Sequence, residues 1–231
     1  MCFNSPNISL VNVGPFTLTT AMGLFAINTL HAKNFCVMFT IIGGTQEAYR
    51  VALGRCDKLT VQKMKLVDPT VPIAGDYTPF IVKAREAGRD AVLSNAIEPG
   101  VVAWVKTADA QKITGINWLF LSPGYTVQVA KTLADIKQLL YVGTEREPYT
   151  EQNSPANKEL IAAMKASNRP LTAFSQGGYL VAMATLDVIK TIDGAVTRES
   201  MNKALATMKP YVNPIAGSHY VLGAGPRHAP I

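Results

Sequence analysis

Between Asp76 and Gly124 the chain reads helix, strand, helix, strand without a break, and this stretch limits the possible folds more than any other. Asp76 stands where it caps a helix carrying Tyr77, Phe80, Ile81 and Ala84 on one face, and Gly88 closes that helix. The apolar run Ala91-Val-Leu-Ser94 follows at once. It passes through Ser94-Asn-Ala-Ile-Glu98 into a second helix opened by Pro99. Asn117-Trp-Leu-Phe-Leu121 then repeats the design and ends in Ser122-Pro-Gly-Tyr125. Two strands joined by a helix in this manner run parallel and end at the same edge of one sheet. In open α/β sheets ligands bind at that carboxyl edge, so the chain offers a binding crevice before it offers a catalyst.

The flanking segments extend the alternation. Leu10-Val-Asn-Val-Gly14 reads as a short strand, 17–31 as a helix, Phe35-Cys-Val-Met-Phe39 as a strand, and about 46–56 as a helix after the turn Thr40-Ile-Ile-Gly-Gly-Thr45. Thr60 to Val67 alternates like a half-buried strand, Gln128 to Ile136 is helical, and Leu139-Leu-Tyr-Val142 is a further strand. The expected fold class is α/β, a parallel sheet with helices on both faces. Near residue 143 the pattern changes. A polar crossing over 143–152 leads to Ser154-Pro155, which starts the first of three helices (about 155–168, 173–191 and 198–208) with no strand between them; Thr197 caps the last. Such helices cannot bury their apolar faces alone and call for a sheet the chain does not contain. The tail from Tyr211 holds one extended piece, Ser218 to Leu222.

Length and composition narrow the class. The chain has 231 residues, 48% of them hydrophobic and 16% charged, which suits a soluble globular protein with a sizeable core. No apolar run reaches the roughly 18 residues of a membrane span. The longest, Ala21 to Leu30, contains Gly23 and Asn28, and neither a basic lead nor a small-residue cleavage site marks it as an export signal. The net charge of +6 comes from lysines and arginines scattered singly, a solvated surface and not a nucleic-acid stripe. Of the three cysteines, none is spaced as CxxC, and Cys36 lies inside an apolar strand as a buried inert thiol.

No catalytic constellation emerges. Gly43-Gly44 follows a strand and precedes a helix, the place of a phosphate-cradling loop, but neither GxGxxG nor GxxxxGK[ST] is present; a tight turn that leaves room for a ligand fits better. His31, His219 and His228 fall on separate elements and suggest no metal site. Ser175-Gln-Gly-Gly178 lacks the GxSxG order of a nucleophile elbow. No cofactor is implied. Tyr125 and Phe174 stand at element ends, where a ring suits either enclosure of a small ligand or ordinary packing. Trp104 and Trp118 read as core.

The segment Asp76-Tyr-Thr-Pro-Phe-Ile-Val-Lys-Ala-Arg-Glu-Ala-Gly-Arg-Asp-Ala-Val-Leu93 resembles a motif of the leucine/isoleucine/valine-binding type of periplasmic solute-binding protein, which serves ABC importers. Gly178-Tyr-Leu-Val-Ala182, Val196-Thr-Arg-Glu-Ser200 and Ala204-Leu205 resemble the later helices of that family, and Asn12-Val-Gly-Pro15 a strand crossing between its lobes. The resemblance covers about residues 9–228. It implies a type I periplasmic-binding-protein-like fold, with 9–145 a largely complete second lobe, 146–208 helices returning to a partial first lobe, and 209–231 an irregular tail crossing back. The family's first hundred-odd residues, with the export signal and the first lobe's sheet, have no counterpart here, so the chain reads as an incomplete member.

What the resemblance implies for function is a non-enzymatic binding component. It would hold a branched-chain or other amino acid, or a small carboxylate such as an aromatic acid, in an interlobe cleft and present it to ABC permease subunits in a periplasmic or extracellular setting. Phe174 matches a position where an aromatic covers the ligand. Gly43-Gly44 falls where many members have a tyrosine before a glycine, Ile97 near another tyrosine position, and Pro123 near one where an acid binds the ligand's amine. Pro123 thus lacks the acid, and the expected ligand contacts are Gly43, Gly44, Ile97, Tyr125, Phe174, Ser94, Asn95, Ser122 and Glu98: Ile97, Tyr125 and Phe174 as apolar wall, Ser94, Asn95 and Ser122 as hydrogen-bonding groups, and Glu98 as an alternative amine partner. A cytosolic ligand sensor on the same fold is the rival reading, which the absent signal favours. An α/β enzyme would need an acid, base or nucleophile that these residues do not assemble.

Overall fold

The computed structural model describes residues 14–59, 67–209, 211–216 and 219–220. They fall into two compact units, one spanning Pro15–Thr144 and one whose described part is Gly14 and the described residues from Glu145 on. Of the expected strand over 10–14, and of the crossing piece Asn12–Pro15, only Gly14 and Pro15 are described, and both open a helix; most of the strand over 60–67, and Cys2 and His228, lie outside the described residues.

The first unit is a sheet covered on both faces. Its helices and strands alternate as α1 (Gly14–Asn28), β1 (Phe35–Met38), α2 (Gln46–Leu59), β2 (Val67–Asp68), α3 (Thr78–Glu86), β3 (Ala91–Ser94), α4 (Glu98–Ala110), β4 (Asn117–Phe120), α5 (Val127–Thr132) and β5 (Leu139–Val142). The strands form one five-stranded sheet in the order β2-β1-β3-β4-β5, every pair parallel, with Met38 opposite Ser94, Ser94 opposite Phe120 and Phe120 opposite Val142. Period-two alternation divides the core. Phe35, Val37, Phe39, Leu93, Leu119 and Leu121 turn to the side that α1 and α2 cover, where Leu18, Met22, Ala26, Tyr49 and Leu53 meet them. Cys36, Met38, Val92, Trp118 and Phe120 turn to the side of α3, α4 and α5, where they join Ile81, Ala84, Val101, Trp104, Val105 and Val129. Because both faces are covered, β1 and β3 are uncharged and buried at every position.

The cap of α3 differs from expectation. Tyr77, buried, is the residue at the helix boundary, and Asp76 instead accepts a hydrogen bond from the Thr78 amide at 2.8 Å. Pro79 explains the shift: it lacks an N–H at the position a capping carboxylate normally satisfies, leaving the Thr78 amide as the available donor. Helix α5 stops at Thr132, short of the expected Ile136, although Leu133 and Ile136 still pack on the core through the following turn.

At the edge of the sheet Asp68 is buried, and it accepts hydrogen bonds from Lys83 Nζ at 2.7 Å and from the Thr70 hydroxyl at 2.6 Å and amide at 3.0 Å. Burial pushes its carboxyl up, but the Lys83 and Thr70 bonds outweigh that and hold it below its ordinary value. A folded-state pKa below the unfolded one means stability that is complete above the ordinary carboxylate range and is lost as pH falls through the folded value. Lys83 is half exposed, so solvent screens the pair. The Lys83→Met variant is therefore expected to lose about 0.3–1 kcal/mol at neutral pH, with the deficit closing as pH falls below the ordinary carboxylate range, as read from urea midpoints across that range. A deficit that persisted unchanged at pH 2 would assign the effect to the lysine's methylenes instead.

The second unit is helical. After the crossing come α6 (Pro155–Ala166), α7 (Ala173–Ile189) and α8 (Arg198–Thr207), then a two-residue antiparallel pair of β6 (Tyr211–Val212) with β7 (His219–Tyr220). Thr197 caps α8 as expected, in a reciprocal box with Ser200, and Thr172 makes the same box with Ser175 at the start of α7. Its core is small: Leu180, Ala184, Tyr211 and Ala216 cluster with Leu205 and Met208, and α8 buries no residue. Helix α7 presents Gln176, Leu180, Ala184 and Val188 inward, while Phe174, Gly178, Val181, Ala182, Thr185 and Leu186 form an uncharged exposed stripe on its other side. Among the described residues of this unit no sheet covers that stripe.

Candidate functional site

In the sheet unit all five parallel strands end along one edge, and the turns after β1, β3 and β4 bring most of the expected contact residues together. After β1, Thr45 donates its amide (3.1 Å) and hydroxyl (2.6 Å) to the Ile42 carbonyl, closing a tight turn in which Gly44 adopts φ +75°. A side chain there would be strained, so glycine is what allows the turn, and Ile42, Gly43 and Gly44 are all exposed. After β3, Ile97 is exposed and Glu98, the first residue of α4, is half-buried. After β4, Ser122 and Tyr125 are half-buried around a single 3-10 turn that Tyr125 closes with its amide on the Ser122 carbonyl at 2.9 Å.

Two expected contacts are turned inward. Ser94 is buried, and its Oγ accepts the Ala96 amide at 3.3 Å. Asn95 clamps the neighbouring strand: its Oδ1 accepts the Thr40 amide at 2.8 Å, and its Nδ2 donates to the Thr40 carbonyl at 2.9 Å and to Tyr49 Oη at 3.1 Å. Both amide hydrogens are thereby engaged, so neither residue offers its side chain to a ligand. The β1 and β3 registers place Thr40 beside Asn95, a tertiary pairing that local sequence does not display. Sequence reasoning also passed over Ile42, whose exposed apolar side chain stands next to two glycines.

Phe174 belongs to the helical unit, in the first turn of α7, and is 77% exposed. A groove of about 780 Å³ in the same unit, lined by Asp187, Asp193, Lys203, Lys209 and Tyr211, carries charges of both signs and touches none of the expected contacts.

The chemistry available at the sheet edge is that of a binding surface. Across the turns after β1, β3 and β4, Glu98 carries the single formal charge. Cys36 lies beneath the edge, with burial pushing its thiol up to about 12, so it stays protonated and unreactive at neutral pH. Among the described residues no group of His, Cys, Asp or Glu is arranged to hold a metal ion.

The periplasmic binding protein family matches residues 2–229. The chain belongs to that family. It is a family of binding proteins and not of enzymes, and the parallel sheet with helices on both faces is its type I fold. Solved structures of similar fold include a fatty acid ABC transporter substrate-binding protein from Thermomonospora curvata, at TM-score 0.82 and 15% identity, covering 99% of this chain and 60% of that one. A solute-binding protein from Rhodopseudomonas palustris in complex with p-hydroxybenzoic acid superposes at TM-score 0.76 and 16% identity, covering 97% of this chain and 61% of the other. The leucine-binding protein LivK of Thermotoga maritima gives TM-score 0.74 and 17% identity, with 96% and 62% covered. This member of the family thus spans about three fifths of the length of those relatives. No curated protein matches it in sequence. Among the described residues no helix is long and apolar enough to cross a membrane.

Proposed function

We propose that this protein is the solute-binding component of an ABC importer, holding a small carboxylate with an apolar body and presenting it to membrane permease subunits on the outer side of the membrane. The observation that carries the reading is the sheet edge itself, where the turns after three strands present Ile42, Gly43, Gly44, Ile97, Ser122 and Tyr125 as an uncharged surface with Glu98 as its lone charge. Apolar enclosure with a few oriented polar groups is how small-molecule sites achieve affinity. Phe174, on the helical unit, is an exposed aromatic side chain in its own right. Solved relatives bind leucine-type and hydroxybenzoate-type solutes or are described as fatty-acid binders, a range that shares an apolar body and a carboxylate.

The expected result of a thermal-shift and calorimetric screen on the full chain is a raised Tm with at least one of L-leucine, L-valine, 4-hydroxybenzoate or a medium-chain fatty acid. Nucleotides and neutral sugars should have no effect. A ligand at 100 times its Kd stabilises by about 2.7 kcal/mol, a shift of several degrees. A response confined to nucleotides or sugars would overturn the proposal.

A further inference from the structure

Asn157 and Gln176 are fully buried polar side chains of the helical unit, and each is bonded to the crossing segment. Gln176, 2% exposed, donates from Nε2 to the Glu147 carbonyl at 2.7 Å and to Asn157 Oδ1 at 3.2 Å. Asn157 donates from Nδ2 to the carbonyls of Pro148 at 2.8 Å and Glu151 at 3.2 Å. The Glu147 amide donates in turn to the Ile215 carbonyl at 2.8 Å. One residue further along α7, Gly177 lies so close to the Arg146 guanidinium that a Cβ there would come within 3.2 Å of it, and Arg146 Nη1 donates to the Ala173 carbonyl at 3.4 Å. Segment 146–151, the start of α6 and the first turn of α7 are therefore joined through buried polar groups.

We propose that Asn157 and Gln176 are positioning residues for Phe174. Phe174 lies two residues before Gln176, in the turn whose other end the Thr172–Ser175 capping box closes. With its own side chain exposed, it has no packing to fix its direction. The cap fixes the backbone before it and the Gln176 amide fixes the backbone after it, so the ring is aimed by groups that never touch a ligand. Breaking a buried network of this kind leaves the partner carbonyls without donors, which confines the effect to the joined segments. The proposal rests on Phe174 being a solute contact, and its test separates the two ideas.

The experiment is hydrogen exchange on the full chain, wild type against Gln176→Met, a change that keeps side-chain volume and removes the donor. The Glu147 amide and the amides of the first turn of α7 should exchange roughly tenfold faster, while those from Leu180 to Val188 keep their protection. In parallel, 4-fluorophenylalanine labelling, with the Phe174 resonance assigned through Phe174→Leu, should show that resonance shift or broaden in Gln176→Met without any ligand present. Unchanged exchange, uniform acceleration across α6 and α7, or an unmoved Phe174 resonance would each overturn the proposal. Should the variant fail to fold, the wild type carries the test alone: Glu147 and first-turn α7 amides must open together, with one denaturant dependence, and independent opening overturns it. Adding 4-hydroxybenzoate or L-leucine to the wild type then reports on the other idea. A Phe174 resonance that responds to neither would remove Phe174 from the solute site whatever the exchange data show.

Discussion

Replacing Trp104 with alanine is expected to cost the sheet unit about 3–5 kcal/mol, the largest effect of any single substitution considered for this protein. Trp104 is fully buried in α4 and meets four rings: Tyr77 at 5.3 Å between centroids, Trp118 at 6.1 Å, Phe120 at 6.4 Å and Phe80 at 6.5 Å. Those rings come from α3, β4 and the helix boundary before α3, so truncation would open a cavity where the sheet and two helices converge. A loss of that size is a large part of the 5–15 kcal/mol that holds a typical domain together. Both tryptophans lie in the sheet unit, so fluorescence during urea unfolding reports that unit alone, and Trp118 remains as reporter in the variant. Trp104→Phe should be far milder, at about 1–2 kcal/mol, because Trp104 Nε1 is buried without a hydrogen-bond partner and phenylalanine removes that unmet donor along with the extra ring. A loss below about 1 kcal/mol for the alanine variant would mean that the four-ring cluster does not hold the sheet to its helices.

The same cluster shows why the sheet unit was legible in the sequence. A strand covered on both faces has to be uncharged throughout, and runs such as Phe35 to Phe39, Ala91 to Leu93 and Trp118 to Leu121 announce themselves by that property alone. Its helices declare one face by apolar spacing, and the spacing misleads only where packing outlasts the helix. Leu133 and Ile136 continue the apolar pattern of α5 because they still touch the core, although the backbone has already left the helix. The two-residue strands β6 and β7 are too short to carry any periodicity, and β6 was not anticipated.

Site residues were legible only by position. Strand-end order placed Gly43, Gly44, Ile97, Glu98, Ser122 and Tyr125 along one edge, since parallel strands joined by helices leave no other arrangement. What a polar side chain does at that edge depends on its neighbours across the sheet. Asn95 and Ser122 look alike in sequence, each following an apolar run, yet Asn95 is engaged by Thr40 and Tyr49 from another strand and helix while Ser122 stays half-exposed. Gln176 was equally unreadable, because a glutamine in an amphipathic helix normally faces water, and only the crossing segment packed against it makes burial tolerable.

Phe174→Ala is expected to weaken solute binding by about 1–3 kcal/mol, five- to more than a hundredfold in Kd, while leaving the unfolding free energy within about 0.5 kcal/mol of the wild type. The asymmetry follows from its exposure. A phenylalanine that is 77% exposed in the folded protein makes few contacts whose loss would destabilise the fold, whereas burying the same ring against a ligand removes a large apolar area from water. Leucine should restore part of the affinity by replacing area, and tyrosine most of it by replacing the flat ring. Calorimetric titration with whichever solute raises the Tm, paired with urea unfolding of each variant, separates binding from folding. If alanine left Kd unchanged, Phe174 would be part of the uncharged α7 stripe that runs through Gly178, Val181 and Thr185, a surface made to meet another protein segment and not a solute. If instead affinity fell and tyrosine restored it, the ring would be a solute contact. Its place two residues from the buried Gln176 would then make the crossing segment part of what sets the affinity.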